Sequence, residues 1–175
     1  MGEIIVREAT KVDAPSMIEH SRIAYSESRN LLTTPEEFTI TVEEELRWLA
    51  DMRAKNNLVL VAQQDNRIIG MLSAQRGSRK RVQHNCQFGI SIQEAYCNNG
   101  LGSRMITMLL DWAALDPIIE KVTLEVFSHN DRGIHVYEKL GFKVEGRKEK
   151  HAKFDDGTYA DEYVMGRFVK GSGNE

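Results

Sequence analysis

Tyr96-Cys97-Asn98-Asn99-Gly100-Leu101-Gly102-Ser103 stands between a strand-like run and a helical one. The rest of the chain is understood through the reading of this segment. Glycines at 100 and 102 permit positive φ and leave room for a ligand to touch the backbone. A helix that starts here leaves its first amide N–H groups without intrahelical partners. Its dipole adds partial positive charge at the same end, so a pyrophosphate is a natural guest. The segment reads equally as a tight turn with no ligand. It is not a P-loop, because no Gly-Lys-Ser/Thr follows, and a dinucleotide fingerprint would need a third glycine.

On the N-terminal side of this turn, His84 to Ile92 alternates, with Cys86, Phe88, Ile90 and Ile92 on one side of a strand. Further back, Arg67–Gln75 and Leu58–Gln63 read as strands around the turn Asp65-Asn66. Thr41-Val42-Glu43-Glu44 is a capping box that opens a helix reaching Lys55, with Leu46, Leu49 and Trp48 on its buried side. Another helix opens at Asp13-Ala14-Pro15 and runs to Ser28, after a first strand at Ile4–Arg7. On the C-terminal side, Leu101, Met105, Met108, Trp112 and Leu115 give a helix with an apolar stripe, stopped by Asp116-Pro117. Lys121–Phe127 is a strand, and Arg132–Leu140 a helix capped by Gly141. Phe142–Lys153 and Tyr159–Val169 form a hairpin around Asp155-Asp156-Gly157. This order predicts an α/β (α+β) fold, a single mixed sheet of about seven strands with helices on both faces. One domain over 1–170 and a flexible tail over 171–175 are expected.

The 175 residues are 41% hydrophobic and 28% charged, a globular balance that speaks against a disordered or fibrous class. A net charge of −3 gives no global electrostatic reason to expect a nucleic-acid or membrane surface. The basic group Arg76, Arg79, Lys80 and Arg81 has no interleaved aromatics and reads as a solvated hairpin tip. Met105–Leu115 contains Asp111 and is too short to span a bilayer. Cys86 and Cys97 have neither metal spacing nor the look of a disulfide framework. With no basic, apolar leader at Met1, a cytoplasmic location is the default expectation.

Val122-Thr123-Leu124-Glu125-Val126, then Asn130, then Ile134 to Phe142 with Tyr137 and Leu140-Gly141-Phe142, is a distinctive succession. Together with the glycine turn it resembles the GCN5-related N-acetyltransferase superfamily, most strongly from Phe88 to Gly146. The resemblance implies the acyl-CoA N-acyltransferase fold, with a mostly antiparallel sheet, and acetyl-CoA as co-substrate with no metal. In that family the turn reads Gln/Arg-x-x-Gly-x-Gly/Ala and holds the coenzyme A pyrophosphate. Here the matching residues are Cys97, Asn98, Asn99, Gly100, Leu101 and Gly102, with Ser103 following. Cys97 replaces the usual Arg or Gln. Because backbone amides supply most of the grip, this implies weakened binding without its loss. The strand ending at Ile92 is implied to be splayed, so that Ile90, Ser91 and Ile92 pair with the pantetheine arm. Asn130 matches the position that bonds the cofactor or places the amine, and Tyr137 the one that protonates the departing thiolate.

Each of these residues also has a plainer reading. Tyr137 lies three residues from both Ile134 and Leu140, on the apolar side of its helix, where periodicity alone makes it a core residue. Its phenol is protonated at neutral pH and suited to donate. Asn130 fits an N-terminal cap as well as a cofactor contact. His129 and His135 are expected to be solvent-exposed, and Cys97 lacks a histidine partner that would make it a nucleophile. Glu125 and Glu94 are available as bases, and each is equally a surface or turn charge. The C-terminal run from Gly146 to Met165 looks like the branch holding small bacterial amino-acid, ribosomal-protein N-terminal and spermidine acetyltransferases. A small-molecule amine such as a free amino acid is the first expectation for the acceptor, and a peptide N-terminus or polyamine the second. A coenzyme A-binding sensor without turnover is the alternative of another class, and a homodimer through the C-terminal strands is implied by resemblance alone.

Overall fold

The β-rich runs become strands and the capped segments become helices in the computed structural model, which describes residues 2–171. The expected tail therefore lies outside the described residues from 172 onward. The elements are β1 (Ile5–Glu8), α1 (Ala14–Glu27), α2 (Val42–Ala54), β2 (Leu58–Gln64), β3 (Arg67–Arg76), β4 (Asn85–Ile92), α3 (Leu101–Leu115), β5 (Lys121–Phe127), α4 (Asp131–Lys139), β6 (Lys143–Lys153) and β7 (Tyr159–Phe168). Seven strands form one open sheet in the order β1-β2-β3-β4-β5-β7-β6. The ladders β1–β2, β2–β3, β5–β7 and β6–β7 are antiparallel, and β4–β5 is parallel. The expected mixed, mostly antiparallel sheet is the one that forms.

The chain divides into two compact units. One contains the residues up to Gln75 together with Gly89–Ile106, and the other contains Arg76–Phe88 and the chain from Thr107 on. In the first unit, Ala62 faces Gly70 while Gln63 faces Ile68, so Ile69 is an extra residue on β3. This bulge brings Ile68 and Met71 to the same face. There Ala14 and Met17 of α1 and Leu49 and Met52 of α2 pack with Val59, Val61 and Ile68. On the opposite face a Cβ at Gly70 would lie 3.4 Å from both Ile92 Cγ1 and Met105 Sδ, so glycine lets α3 approach β3 closely. Helices therefore cover both faces of this unit.

Local chemistry fixes the helix starts. Thr41 Oγ1 accepts from the Glu44 N–H at 3.3 Å and Glu44 Oε2 accepts from the Thr41 N–H at 2.9 Å, which is the expected capping box of α2. Asp13, expected as a side-chain cap of α1, is committed elsewhere. Its carboxylate accepts from Arg7 at 2.7 and 2.8 Å and from the Thr10 N–H at 2.7 Å. The Arg7 guanidinium holds the Asp13 carboxyl down to about 2.

In the second unit, β5 pairs with β7 from Lys121–Phe168 to Phe127–Glu162, and β6 continues the sheet through bulges at Val144–Gly146 and Lys148–Ala152. Two expectations are corrected here. The buried side of α3 runs through Leu101, Met105, Ile106, Leu109, Leu110 and Ala113, while Leu115 is 86% exposed. Apolar residues cover the whole circumference of the helix except the side of Ser103, Arg104, Thr107 and Asp111, so more than one stripe fits its sequence and packing selects one. Arg76 is not part of a solvated tip: its guanidinium meets Asp116 at 3.2 Å with 17% of the side chain exposed. Arg79, Lys80 and Arg81 are exposed, as expected.

Candidate active site

The sequence-predicted residues fall on a loop and strand end in the first unit and, in the second, at the N-terminal cap of α4 and near that helix's far end. In the first, the Gln93 N–H donates to the Ile69 carbonyl at 3.0 Å, and a single 3-10 turn at Glu94–Tyr96 follows. Cys97 then folds back, its Sγ 3.6 Å from the Gln93 carbonyl oxygen and 3.8 Å from that of Ile92. The small thiol thus ties the start of the loop to the strand it leaves.

Beyond Cys97 the backbone turns through two left-handed residues, Asn98 at φ 62° and Gly100 at φ 83°. Asn99 Oδ1 accepts from the Leu101 N–H at 3.3 Å. The N–H groups of Asn98, Asn99, Gly100 and Gly102 make no hydrogen bond among the described residues. Leu101 is buried and anchors α3, while Gly102 and Ser103 are half-buried. A Cβ at Gly100 would meet nothing within 4 Å, and one at Gly102 only Ile92 Cδ1 at 3.5 Å. Packing within the protein therefore does not demand glycine at 102. Four unpartnered donors, the positive end of a 15-residue helix and open space at two glycines fit a diphosphate.

Ile90, Ser91 and Ile92, all half-buried, close β4 ahead of this loop. The parallel β4–β5 ladder pairs Asn85 with Lys121, Cys86 with Val122 and Gln87 with Thr123, and both strands run on beyond its last pair. Ser91 Oγ lies 2.9 Å from Nε2 of His20, a wholly buried α1 residue that sequence reading passed over. Burial pushes His20 down to about 4, so its ring is neutral in the physiological range.

In the second unit, Asn130 caps α4: its Oδ1 accepts from the Gly133 N–H at 3.0 Å. A Cβ at Gly133 would come within 2.7 Å of Asn130 Nδ2, so glycine there gives the cap its room. With Oδ1 committed, Asn130 offers the outside a donor, Nδ2. Tyr137 is 8% exposed. Its ring makes edge contacts with Phe88 at 6.1 Å and Phe142 at 6.2 Å. Its hydroxyl has no hydrogen-bond partner among the described residues, and burial pushes the phenol up to about 12. His129 is exposed but stacks on Phe127 at 5.6 Å, and His135 is exposed.

The carboxylates sort themselves by partner. Glu125 is engaged by Lys148 Nζ at 2.6 Å, and the same ammonium reaches buried Glu162 at 3.0 Å. The Glu94 N–H donates to Glu27 Oε2 at 2.9 Å. Glu45, also missed in the sequence, lies buried on the stripe of α2 that carries Leu49 and Met52, and burial alone raises its carboxyl. No group of three or more His, Cys, Asp or Glu side chains able to hold a metal occurs among the described residues. None of the described helices is long and apolar enough to cross a membrane.

The sequence profile of the acetyltransferase (GNAT) family matches residues 22–142. The L-amino acid N-acetyltransferase AaaT of Escherichia coli (strain K12) is 30% identical over 95% of this chain and 99% of that protein. A crystal structure of a GNAT-family acetyltransferase from Streptococcus pneumoniae superposes with a TM-score of 0.91, at 30% identity, over 95% of this chain and 99% of that one. YncA from Salmonella typhimurium, solved with its cofactor acetyl-CoA, shares the fold at a TM-score of 0.86 and 19% identity, over 98% of this chain and 96% of that one.

Proposed function

This chain belongs to the acetyltransferase (GNAT) family, and on that premise we propose that its acceptor is the α-amino group of a free amino acid. The enzyme is an N-acetyltransferase with acetyl-coenzyme A as co-substrate. The observation that carries the acceptor is the likeness to an L-amino acid N-acetyltransferase along nearly the whole of both chains.

In this reading the amides of Asn98, Asn99, Gly100 and Gly102 receive the pyrophosphate, with Cys97, Leu101 and Ser103 shaping the turn around them. The backbone of Ile90, Ser91 and Ile92 receives the pantetheine arm, and Asn130 Nδ2 donates to the cofactor or steadies the amine. The amine nitrogen attacks the acetyl carbon, the C–N bond forms, the C–S bond breaks, and one proton passes overall from nitrogen to sulfur. Holding both reactants in register supplies about 7–11 kcal/mol of such a barrier. A phenol at about 12 stays protonated throughout the neutral range. Full proton transfer from it to a thiolate of pKa about 8.5 would run uphill by roughly 5 kcal/mol. Tyr137 therefore acts as a hydrogen-bond donor to the charge growing on sulfur.

An α-amine of pKa about 8 costs about 1.4 kcal/mol to deprotonate at neutral pH, against about 4.6 kcal/mol for a lysine-like amine near 10.4. Glu125 is already paired with Lys148, so an acceptor with the smaller cost suits this chain. The test is thiol release from acetyl-CoA across the proteinogenic amino acids, spermidine and a peptide with an unblocked N-terminus, with products identified by mass. A free amino acid is expected to exceed the others in kcat/KM by roughly tenfold or more. A preference for spermidine or the peptide would overturn the acceptor assignment.

A further inference from the structure

His20 on α1, Ser91 on β4 and Gln93 just past β4 form a hydrogen-bonded trio inside the first unit. Gln93 Nε2 lies 3.3 Å from His20 Nδ1 and 3.2 Å from the carbonyl oxygen of Ile68. That carbonyl can only accept, so the amide nitrogen must face it, and the same nitrogen donates to Nδ1. The network thereby fixes the tautomer. Nδ1 carries the lone pair, Nε2 carries the proton, and Nε2–H donates to Ser91 Oγ at 2.9 Å.

Serine, histidine and an amide in this order suggest a nucleophile, its base and an orienting group. That chemistry needs the other tautomer, with Nδ1–H toward the orienting group and the Nε2 lone pair toward the hydroxyl. Ser91 is therefore not activated for covalent catalysis, in keeping with direct transfer. Instead its oxygen accepts from His20, so its own O–H points away from the ring. Among the described residues no protein acceptor takes that proton, and Ser91 is half-buried at the end of β4.

We propose that His20 and Gln93 are positioning residues that hold the Ser91 hydroxyl as a one-way hydrogen-bond donor to the acyl oxygen of the bound thioester. This rests on the acetyl-transfer reading above. A donor preset on an oxygen whose charge grows in the transition state lowers the barrier without reorganising. Ser91 χ1 has three staggered wells, and a fixed partner selects one of them before substrate arrives.

The experiment is a double-mutant cycle in kcat and KM on the full chain, with Ser91→Ala, His20→Leu, the double variant and His20→Gln. Each single removal is expected to lower kcat by roughly 10- to 100-fold with little change in either KM. Because His20 acts through Ser91, the double variant should fall no more than about 3-fold below the weaker single. His20→Gln keeps a nitrogen donor at the Nε2 position and should recover most of the rate. If His20→Leu fails to fold by circular dichroism, Ser91→Ala and His20→Gln decide alone. Unchanged kcat in Ser91→Ala overturns the proposal. So does an equal loss from His20→Leu with and without Ser91, or an effect confined to the KM of the amine. Acetyl transfer by the unsubstituted enzyme separates the two readings. If it is absent, both fall; if it is present with indifferent variants, only the trio falls.

Discussion

Replacing Gly100 with valine is expected to lower the affinity for coenzyme A by roughly 100-fold or more, because two charge-assisted hydrogen bonds are worth about 3 kcal/mol or more. Protein sterics do not cause this loss, since a Cβ at this position meets nothing within 4 Å. Backbone conformation does. Gly100 sits at φ 83°, where a β-branched residue is a strained outlier. Valine drives the backbone out of that region and reorients the adjacent, otherwise unpartnered N–H groups of Asn99 and Gly100. Gly102→Ala is the contrasting variant. Its Cβ meets only Ile92 Cδ1 at ordinary distance, and alanine suits a helix start better than glycine. The unliganded protein should therefore melt no lower, while the methyl group intrudes on the ligand and costs roughly tenfold in affinity. Calorimetric titration with coenzyme A reads both variants. Undiminished affinity in folded Gly100→Val would remove the pyrophosphate from this loop.

Tyr137→Phe is expected to lower kcat by about 100-fold while the KM for acetyl-CoA stays within about 3-fold. Phenylalanine preserves the edge contacts with Phe88 and Phe142 and removes an oxygen without a protein partner. Stability should therefore hold, since the packing is kept and no protein hydrogen bond to the hydroxyl is lost. A fall in kcat at constant melting temperature assigns the loss to chemistry. With the phenol pushed up to about 12, no loss of activity from its ionisation is expected below about pH 10 in the kcat profile. Steady-state kinetics with thiol detection gives both numbers, and an unchanged kcat would end the role of Tyr137 at sulfur.

Most of the fold was legible because its signals are local. The capping box at Thr41–Glu44, the Asp155-Asp156-Gly157 turn and the apolar alternation over His84–Ile92 are each written within a few residues. The structure reproduces them with boundaries shifted by little. The glycine turn was legible for the same reason, since positive φ at Gly100 is a property of one residue. What escaped depends on partners far away in sequence. Seventy-one residues separate His20 from Ser91, and nothing within α1 marks the histidine except its place on the stripe of Met17 and Ala24. Glu45 reads as one acid among three in Glu43-Glu44-Glu45, yet tertiary packing buries it. Arg76 joined a basic run in the sequence, and only the fold brings Asp116 to it. The stripe of α3 was misplaced for a related reason: with apolar residues on most sides, periodicity cannot choose between them.

Acetyl transfer as proposed requires the turn after β4 to hold a diphosphate by its backbone amides. Amide chemical shifts of the isotopically labelled protein, recorded as coenzyme A is added, test it most directly. The signals of Asn98, Asn99, Gly100 and Gly102 should move strongly and saturate together, and those of the exposed tip at Arg79–Arg81 should stay in place. Saturable binding that leaves these four signals where they began would contradict the claim.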